Sequence, residues 1–254
     1  MDVIRHIRRA LLAILTGAAV LAAAAASTQA GETATADTVV ELFTSQGCSS
    51  CPPADALAGQ LARHKNIVIL SLPVDYWDYL GWKDTFARHQ FTERQRRYSV
   101  ARGDGQVYTP QVVVNGLQHA VGSEEDSIQS AIASTGQALN GKRVVLKMSQ
   151  DGDGMTIKIG DAPAGLASAN ATVLLADFRS SAEVSIHRGE NGGHSVTYYH
   201  VVRELRPVGA WTGKAMSIHL TAADMAAGGS DGCAVLLQQG DNGAILAAAQ
   251  FANW

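Results

Sequence analysis

Two continuous apolar runs mark the first part of the chain. TVVELF at 38–43 and IVILSLPV at 67–74 are almost entirely apolar, which is typical of strands buried on both faces of a parallel sheet. Between them, residues 54–64 place Leu57 and Leu61 on one face of a helix. A strand, a helix and a strand in this order predict a βαβ unit with a right-handed crossover.

Helix and hairpin signals follow the second apolar run. Asp84 is a candidate N-cap for a helix that extends to about residue 101. A hairpin is predicted over residues 111–121, because two short apolar strands there flank an Asn-Gly turn. A last helix is expected over residues 123–139, with acidic residues in its first turn.

The pattern changes after Gly141. Residues 144–150 and 155–159 alternate around an Asp-Gly-Asp-Gly turn, and further short strands are predicted at 172–178, 183–188, 195–205, 214–220, 234–239 and 245–251. Short strands at this spacing, almost without helical periodicity, favour an antiparallel sandwich or barrel. We therefore predict one domain over residues 31–140 and a second, β-sandwich-like domain over residues 141–254.

The first thirty residues have the three parts of a secretory signal. A basic start with Arg5, Arg8 and Arg9 precedes an apolar run at 10–26, and small residues end at Ala30. We expect cleavage after Ala30, with a retained membrane anchor as the alternative, and a periplasmic or secreted product. No later segment is apolar enough to cross a bilayer, so we expect no membrane span in the mature chain.

The charge of the mature chain argues against one class of partner. Removal of residues 1–30 leaves 17 of the 20 Lys and Arg residues and 22 of the 23 Asp and Glu residues, a net charge of −5. No basic excess remains to bind a phosphate backbone, so we expect no nucleic-acid partner.

The strongest candidate for a reactive site is one cysteine pair. Cys48 and Cys51 follow the first predicted strand and precede the first predicted helix. A helix N-terminus favours a thiolate, and a second thiol three residues away is placed to resolve a mixed disulfide. Cys48, nearer the loop and expected to be more exposed, is interpreted as the attacking thiol, and Cys51 as the resolving one. Pro52-Pro53 predicts that the regular helix starts only after both sulfurs.

Two other interpretations of this pair stay open. The cysteines could form a permanent structural disulfide, or act as soft ligands for Cu(I) in a metallochaperone. A second CxxC or a CxxC…HxxxH arrangement is missing from the sequence, so a structural zinc site has little support, and we expect no cofactor. The third cysteine, Cys233, lies on an apolar strand and is expected to be a buried core residue.

The order strand, CxxC, helix, strand, helix, hairpin, helix resembles that of the thioredoxin fold. We therefore predict an α/β thioredoxin-like N-terminal domain followed by an all-β antiparallel sandwich-like C-terminal domain. In thioredoxin-like folds a cis-proline before the hairpin lies against the CxxC pair and presents backbone to a substrate segment. Pro110, preceded by Thr109, occupies that place here, with an ordinary trans turn proline as the alternative.

Two further groups are candidates for the site. Glu41 lies in the first strand, where a buried carboxyl with a raised pKa would move protons during exchange; a surface-edge glutamate is the alternative. Tyr76 and Trp77 belong to the aromatic segment DYWDYLGWK at 75–83. This segment either lines a groove for an extended polypeptide or packs its own rings into a small satellite core.

Longer motifs surround these residues: VELFTSQGCSSCPPAD at 40–55, VDYWDYLGWKDTF at 74–86, FTERQRRY at 91–98, YTPQVVVNG at 108–116, and GENGG with TYYHVVRELRPVG within 189–209. Their combination resembles the secreted bacterial family called domain of unknown function 1223, over nearly all of the mature chain. The resemblance implies a thioredoxin-like fold and carries over Cys48, Cys51 and Pro110 as a redox site. It supplies neither a substrate nor an established reaction.

Taken together, these features predict an exported thiol–disulfide oxidoreductase or thiol carrier. Its partner would be a protein or a small thiol or disulfide substrate, met at Thr109, Tyr76 and Trp77, with the β domain binding a partner or docking against the catalytic face.

Overall fold

The computed structural model describes residues 34–252, except for 153, 167–169, 226–228 and 241. The predicted signal segment, residues 1–30, lies outside the described residues. The strands are β1 (Ala34–Ala36), β2 (Thr38–Thr44), β3 (Ile67–Pro73), β4 (Gln111–Val114), β5 (Gln118–Val121), β6 (Leu146–Asp151), β7 (Gly154–Ile159), β8 (Ala171–Ser185), β9 (Ser195–Trp211), β10 (Met216–Leu220), β11 (Gly232–Gln239) and β12 (Ile245–Ala252). The helices are α1 (Pro52–Leu61), α2 (His89–Arg102), α3 (Glu125–Ala138) and the short α4 (Ala222–Met225).

Nine strands form one mixed sheet in the order β1-β12-β11-β8-β9-β3-β2-β4-β5. β2 and β3 are parallel, and every residue of both is buried, as their apolar runs predicted. β4 and β5 extend the sheet on one side of β2 in antiparallel fashion. On the other side, β9 lies parallel to β3 through the pair Ser71 and Val201.

The predicted fold class is wrong. The sequence predicted a thioredoxin-like α/β domain followed by a separate all-β sandwich-like domain, but β8, β9, β11 and β12 continue the same sheet as β2 and β3. The error lies mainly in β8 and β9, which are 15 and 17 residues long. Polar residues such as Arg179 and Ser180 interrupt the apolar pattern of β8 and make it look like two short strands. This long pair joins the two halves, because β8 pairs with β11 while β9 pairs with β3.

A second, three-stranded sheet has the order β10-β7-β6. Its apolar side chains, such as Met148 and Ile157, share a core with Val173 of β8 and Val235 of β11. The alternating strands predicted directly after Gly141, β6 and β7, therefore pack against the nine-stranded sheet that begins in the first half of the chain.

Helices cover both faces of β2 and β3. Successive strand residues point to opposite faces, so Val40 and Leu42 pack with residues of α1 and α3, whereas Val39 and Phe43 pack with residues of α2. Position 41, between residues 40 and 42, consequently belongs to the α2 face. No helix among the described residues is long and apolar enough to cross a membrane.

The start of α2 differs from the prediction. The helix begins at His89 with Arg88 as its N-cap, not after Asp84. Asp84 does make the bonds of a cap, since its Oδ1 accepts the N–H groups of Phe86 at 2.8 Å and Ala87 at 3.0 Å. Arg88 then has an extended backbone and donates its N–H to the carbonyl of Pro73, so the chain returns to the sheet before α2 begins.

Candidate functional site

Cys48 and Cys51 form a disulfide at the junction of β2 and α1, with Cα atoms 5.4 Å apart. Cys51 is the N-cap of α1, and Pro52 and Pro53 fill its first two positions, as the sequence predicted. Proline is accommodated there because the first N–H groups of a helix have no intrahelical acceptor. The pair therefore lies at the carboxyl edge of the sheet, next to the positive end of α1.

Both cysteines are buried. Cys48 is 1% exposed and Cys51 is 0% exposed, whereas Ser49 and Ser50 between them are exposed. The expectation that Cys48 is the more exposed thiol is therefore not met in this oxidised state. Asn191, from the loop between β8 and β9, binds the backbone of the cysteine loop, since its Nδ2 donates to the carbonyl oxygens of Gln46 at 3.0 Å and Cys48 at 2.9 Å.

Thr109 and Pro110 lie at the same edge, and their peptide bond is cis, as the sequence predicted. Gln111 pairs with Phe43, so Pro110 comes beside the carboxyl end of β2. A Cβ at Gly122 would lie 3.1 Å from both the Ala54 and Pro110 side chains, which shows how closely the proline approaches the first turn of α1.

Trp77 connects the proline loop with the cysteine loop. Its indole Nε1–H donates to Thr109 Oγ1 at 2.7 Å, and a Cβ at Gly47 would lie 3.0 Å from the Trp77 Cβ. Tyr76 instead points toward α2, where its hydroxyl donates to Gln95 Oε1 at 3.2 Å. Trp77 therefore lies against both the cysteine loop and the proline loop, whereas Tyr76 reaches the proline loop at Thr109 and is not shown at the cysteines.

Glu41 is fully buried but lies on the α2 face. Arg94 donates to both of its carboxylate oxygens, from Nε at 2.7 Å and from Nη2 at 3.1 Å, and the Tyr98 hydroxyl donates to it as well. Arg94 Nη2 also donates to Gln238 Oε1 at 2.9 Å. Glu41 thus belongs to a buried ion-pair network on the face opposite α1, and the structure does not bring it together with the cysteines.

Asp55 is a buried acid that the sequence reasoning missed. Its backbone N–H donates to the carbonyl of Cys51 at 3.1 Å, and Cys51 has helical backbone angles. Residues four apart on a helix lie on one face, so the Asp55 side chain follows the Cys51 side chain along α1. The available signal was an acid among the small and apolar residues of the helix that follows the cysteines.

The Asp55 carboxyl is only half satisfied. Its Oδ1 accepts a hydrogen bond from Thr44 Oγ1 at 2.8 Å, but its Oδ2 is buried without a hydrogen-bond partner. Burial raises the pKa of Asp55 to about 8; the Thr44 hydrogen bond opposes this rise, and the nearby charge of Asp84 adds to it. A carboxyl in this environment holds a proton at neutral pH.

Two further titratable groups belong to this buried region. The Oδ2 of Asp84 accepts the Gln46 N–H at 2.8 Å, and burial raises the pKa of this carboxyl too. The pKa of Tyr198 is raised by burial and then by the charges of Asp55 and Asp84. The disulfide therefore has buried acids next to it that can supply or accept a proton. Among the described residues, no group of three or more His, Cys, Asp and Glu side chains is placed to hold a metal ion.

Comparisons with known proteins identify one family and two similar solved structures. A family model described as "Protein of unknown function (DUF1223)" matches residues 39–238. A crystal structure of a protein from Agrobacterium tumefaciens is 37% identical, with a TM-score of 0.76, over 85% of this chain and 94% of that one. HBP35 of Porphyromonas gingivalis is 14% identical, with a TM-score of 0.53, over 86% of this chain and 76% of that one, which is a likeness of fold alone. No curated protein matches the chain.

Proposed function

This chain belongs to the family described as protein of unknown function DUF1223, and from that premise we propose that it is a thiol–disulfide oxidoreductase or thiol carrier that uses Cys48 and Cys51. The observation that supports this best is the meeting of three features at one sheet edge. These are the disulfide at the start of α1, the cis peptide at Pro110, and the half-satisfied carboxyl of Asp55.

The exchange proceeds by two displacements at sulfur. A substrate thiolate attacks Cys48, the bond between the two cysteine sulfurs breaks, and Cys51 leaves as a thiolate. A second substrate thiolate then attacks the substrate sulfur of the mixed disulfide, so the substrate leaves as a disulfide and Cys48 leaves as a thiolate. Two electrons pass from the substrate dithiol to the protein, and the reverse sequence oxidises the protein dithiol.

Asp55 is the proton donor and acceptor for Cys51 in this scheme. Its raised pKa keeps the carboxyl protonated at neutral pH, so it can transfer a proton to the departing Cys51 thiolate. In the reverse direction the Asp55 carboxylate removes that proton and regenerates the attacking thiolate. Position and burial support this assignment for Asp55 rather than for Glu41, whose carboxylate is held by Arg94.

The burial of the disulfide requires an opening step. The Asn191 side chain holds the Cys48 loop with two hydrogen bonds, each worth about 1 kcal/mol. A cost of about 2 kcal/mol would leave about 3% of the molecules open, which is enough to admit a substrate without exposing the sulfurs permanently. Gly189 and Gly193, both with positive φ, flank the segment that carries Asn191.

A permanent structural disulfide is the second candidate, and the same burial favours it. A buried bridge protected by hydrogen bonds resists reduction and would have a potential below about −300 mV. In that case Asn191 and Trp77 would be parts of a fixed loop rather than a cover that opens.

We further propose that the protein acts outside the cytoplasm. The basic, apolar and small-residue segments at positions 1–30 support export, and disulfides persist in oxidising compartments.

The function is tested by trapping its covalent intermediate. The Cys51→Ser variant retains the attacking thiol but lacks the resolving one. Its Cys48 thiolate should attack an insulin disulfide, release one insulin thiol and accumulate as a mixed disulfide with the other insulin sulfur, visible by mass spectrometry. Wild-type protein should turn over insulin disulfides, Cys48→Ser should do neither, and Cys233→Ser serves as the matched control with wild-type behaviour. Absence of both trapping and turnover would leave the pair as a structural bridge.

A further inference from the structure

Three arginines near the site lack an acidic partner. Arg88 precedes α2, Arg179 lies in β8 and Arg203 lies in β9. Among the described residues, none of their guanidinium groups forms an ion pair or a side-chain hydrogen bond, although six other arginine and histidine side chains do pair with carboxylates. The pKa of Arg203 is lowered by burial and then by the charges of Arg88 and Arg179, which places the three cations within reach of one another.

Two of these arginines border an open cleft of about 450 Å³. Arg88, Gln90, Arg203 and Glu204 line it. Glu204 is the acidic member of this lining, and its carboxylate lies 3.9 Å from Nε of Arg206. The cleft therefore keeps a positive excess, to which the N-terminal end of α2 adds.

The cleft lies at the same sheet edge as the disulfide. The Arg88 N–H donates to Pro73, the last residue of β3. Val201 pairs with Ser71, so Arg203, two residues further along the parallel strand, comes level with that end of β3. The carboxyl end of β2, which leads into the cysteine loop, is the neighbouring strand end.

An aromatic layer separates the cleft from the buried acids. The Arg203 guanidinium lies 4.9 Å above the centre of the Phe86 ring, and this cation–π contact favours its position. Phe86 also contacts Tyr198 edge to face, with ring centres 6.2 Å apart. Tyr198 is the phenol whose pKa responds to Asp55 and Asp84, so one ring separates the cation cluster from the proton-holding groups.

We propose that the cleft lined by Arg88 and Arg203, with Arg179 nearby, binds the carboxylate groups of the thiol or disulfide substrate. This rests on the proposed exchange function and adds a substrate class to it. Guanidinium groups match carboxylates with two parallel hydrogen bonds, and acidic peptides and small acidic thiols carry their negative charge as carboxylates. Binding there would hold an acidic substrate beside the buried disulfide and raise its encounter rate.

Binding is measured separately from redox chemistry with S-methylglutathione, whose sulfur is blocked and which carries two carboxylates. Added to the oxidised wild-type protein, it should shift the side-chain Nε–H signals of Arg88 and Arg203 in NMR spectra. The double variant Arg88→Gln/Arg203→Gln should not bind it. The matched control, Arg63→Gln/Lys65→Gln, removes two exposed charges beyond the far end of α1 and should bind as wild type does.

Selectivity is measured with three thiols of different charge. The oxidised protein is reduced by 3-mercaptopropionate, 2-mercaptoethanol and cysteamine, with rates corrected for thiolate fraction and intrinsic nucleophilicity. We expect the anionic thiol to react about tenfold faster than the neutral one at low ionic strength, and the preference to vanish in about 1 M salt. The Arg88→Gln/Arg203→Gln variant should lose the preference, and the control pair should keep it.

The two proposals fail in different ways. If S-methylglutathione does not bind, or binds the Arg88→Gln/Arg203→Gln variant as tightly as wild type, the carboxylate site is wrong whatever the thiols do. If it binds at the arginines but none of the three thiols reduces the disulfide, the exchange function is wrong and the anion site stands. Circular dichroism of the double variant should show the wild-type fold, because its lost charges leave no carboxylate unpaired.

Discussion

Replacement of Asp55 by asparagine should make the protein more stable, and increasingly so as the pH rises. The carboxyl is buried with one oxygen unpartnered, and its pKa is raised from 3.8 to about 8. Asparagine has nearly the same shape, keeps an oxygen that can accept the Thr44 hydrogen bond, and carries no charge at any pH. The substitution therefore removes the cost of ionising a group in this buried place.

The direction of this pH dependence follows from the number of protons bound by the folded and the unfolded protein. Between pH 3.8 and about 8 the folded protein holds a proton on Asp55 that the unfolded chain has released, so stability falls as the pH rises through this window. Each pH unit costs about 1.4 kcal/mol, and the full window corresponds to an upper bound of about 6 kcal/mol. Below the unfolded pKa this cost is absent, and above the folded pKa it is constant.

Urea unfolding of the oxidised protein from pH 4 to pH 9 measures this difference. We expect the free-energy gap between Asp55→Asn and wild type to be near its minimum at pH 4, to widen steadily to about pH 8, and then to level off. Asp126→Asn, on the exposed face of α3, is the control and should show no such widening. A gap that stays flat over this range would mean that Asp55 is ionised throughout, and its role as proton donor to Cys51 would be refuted.

Three more substitutions, one of them with a matched control, test individual contacts of the fold and of the site. Glu41→Gln should cost about 3–5 kcal/mol in urea unfolding, because it leaves the Arg94 charge buried and unpaired, while the reduction potential of the cysteines stays unchanged; a shifted potential would contradict the structural role. Asn191→Ala should speed reduction by dithiothreitol about tenfold, since the Cys48 loop loses two hydrogen bonds, and an unchanged rate would show that this side chain is not the cover. Gly59→Ala should lower the melting temperature by several degrees, because its Cβ would overlap the Tyr199 ring; Gly136→Ala, where a Cβ meets nothing within 4 Å, should raise it slightly.

Local patterns predicted the elements around the cysteines well. The apolar runs of β2 and β3, the Asn-Gly hairpin of β4 and β5, and the prolines at the start of α1 each act through neighbours in the sequence. The cis bond at Pro110 was expected from the order of those elements. These features depend on backbone preferences and on burial of a continuous run, which a sequence displays directly.

Long-range contacts were beyond the reach of the sequence. Asn191 bonds to the Cys48 carbonyl from 143 residues away, and Gln238 completes the Arg94 network from 144 residues away. The pairing of β9 with β3 likewise joins residues 130 positions apart in the chain, Ser71 and Val201. A polar residue on a strand or loop gives no sign of which distant group it will bond. From the sequence, one continuous sheet was therefore divided into a thioredoxin-like α/β sheet and a separate β-sandwich.

The choice between two buried acids shows the same limit. Glu41 and Asp55 both lie close to the cysteines in sequence, and both are buried. Only the strand alternation and the helix register decide that Glu41 faces α2 and Arg94, whereas Asp55 follows Cys51 along α1. Arg94 of α2 pairs with Glu41, which therefore has a structural role. Asp55 has no such partner among the described residues, and its raised pKa lets it hold a proton.

The reduction potential of the Cys48–Cys51 pair tests exchange chemistry most directly. Equilibration of the protein with dithiothreitol and glutathione buffers, followed by alkylation and mass spectrometry, gives the fraction reduced at each potential. For a working exchange site we expect a midpoint between about −120 and −270 mV, the range of thiol–disulfide oxidoreductases. A midpoint below about −300 mV would identify a structural bridge and contradict the proposed function.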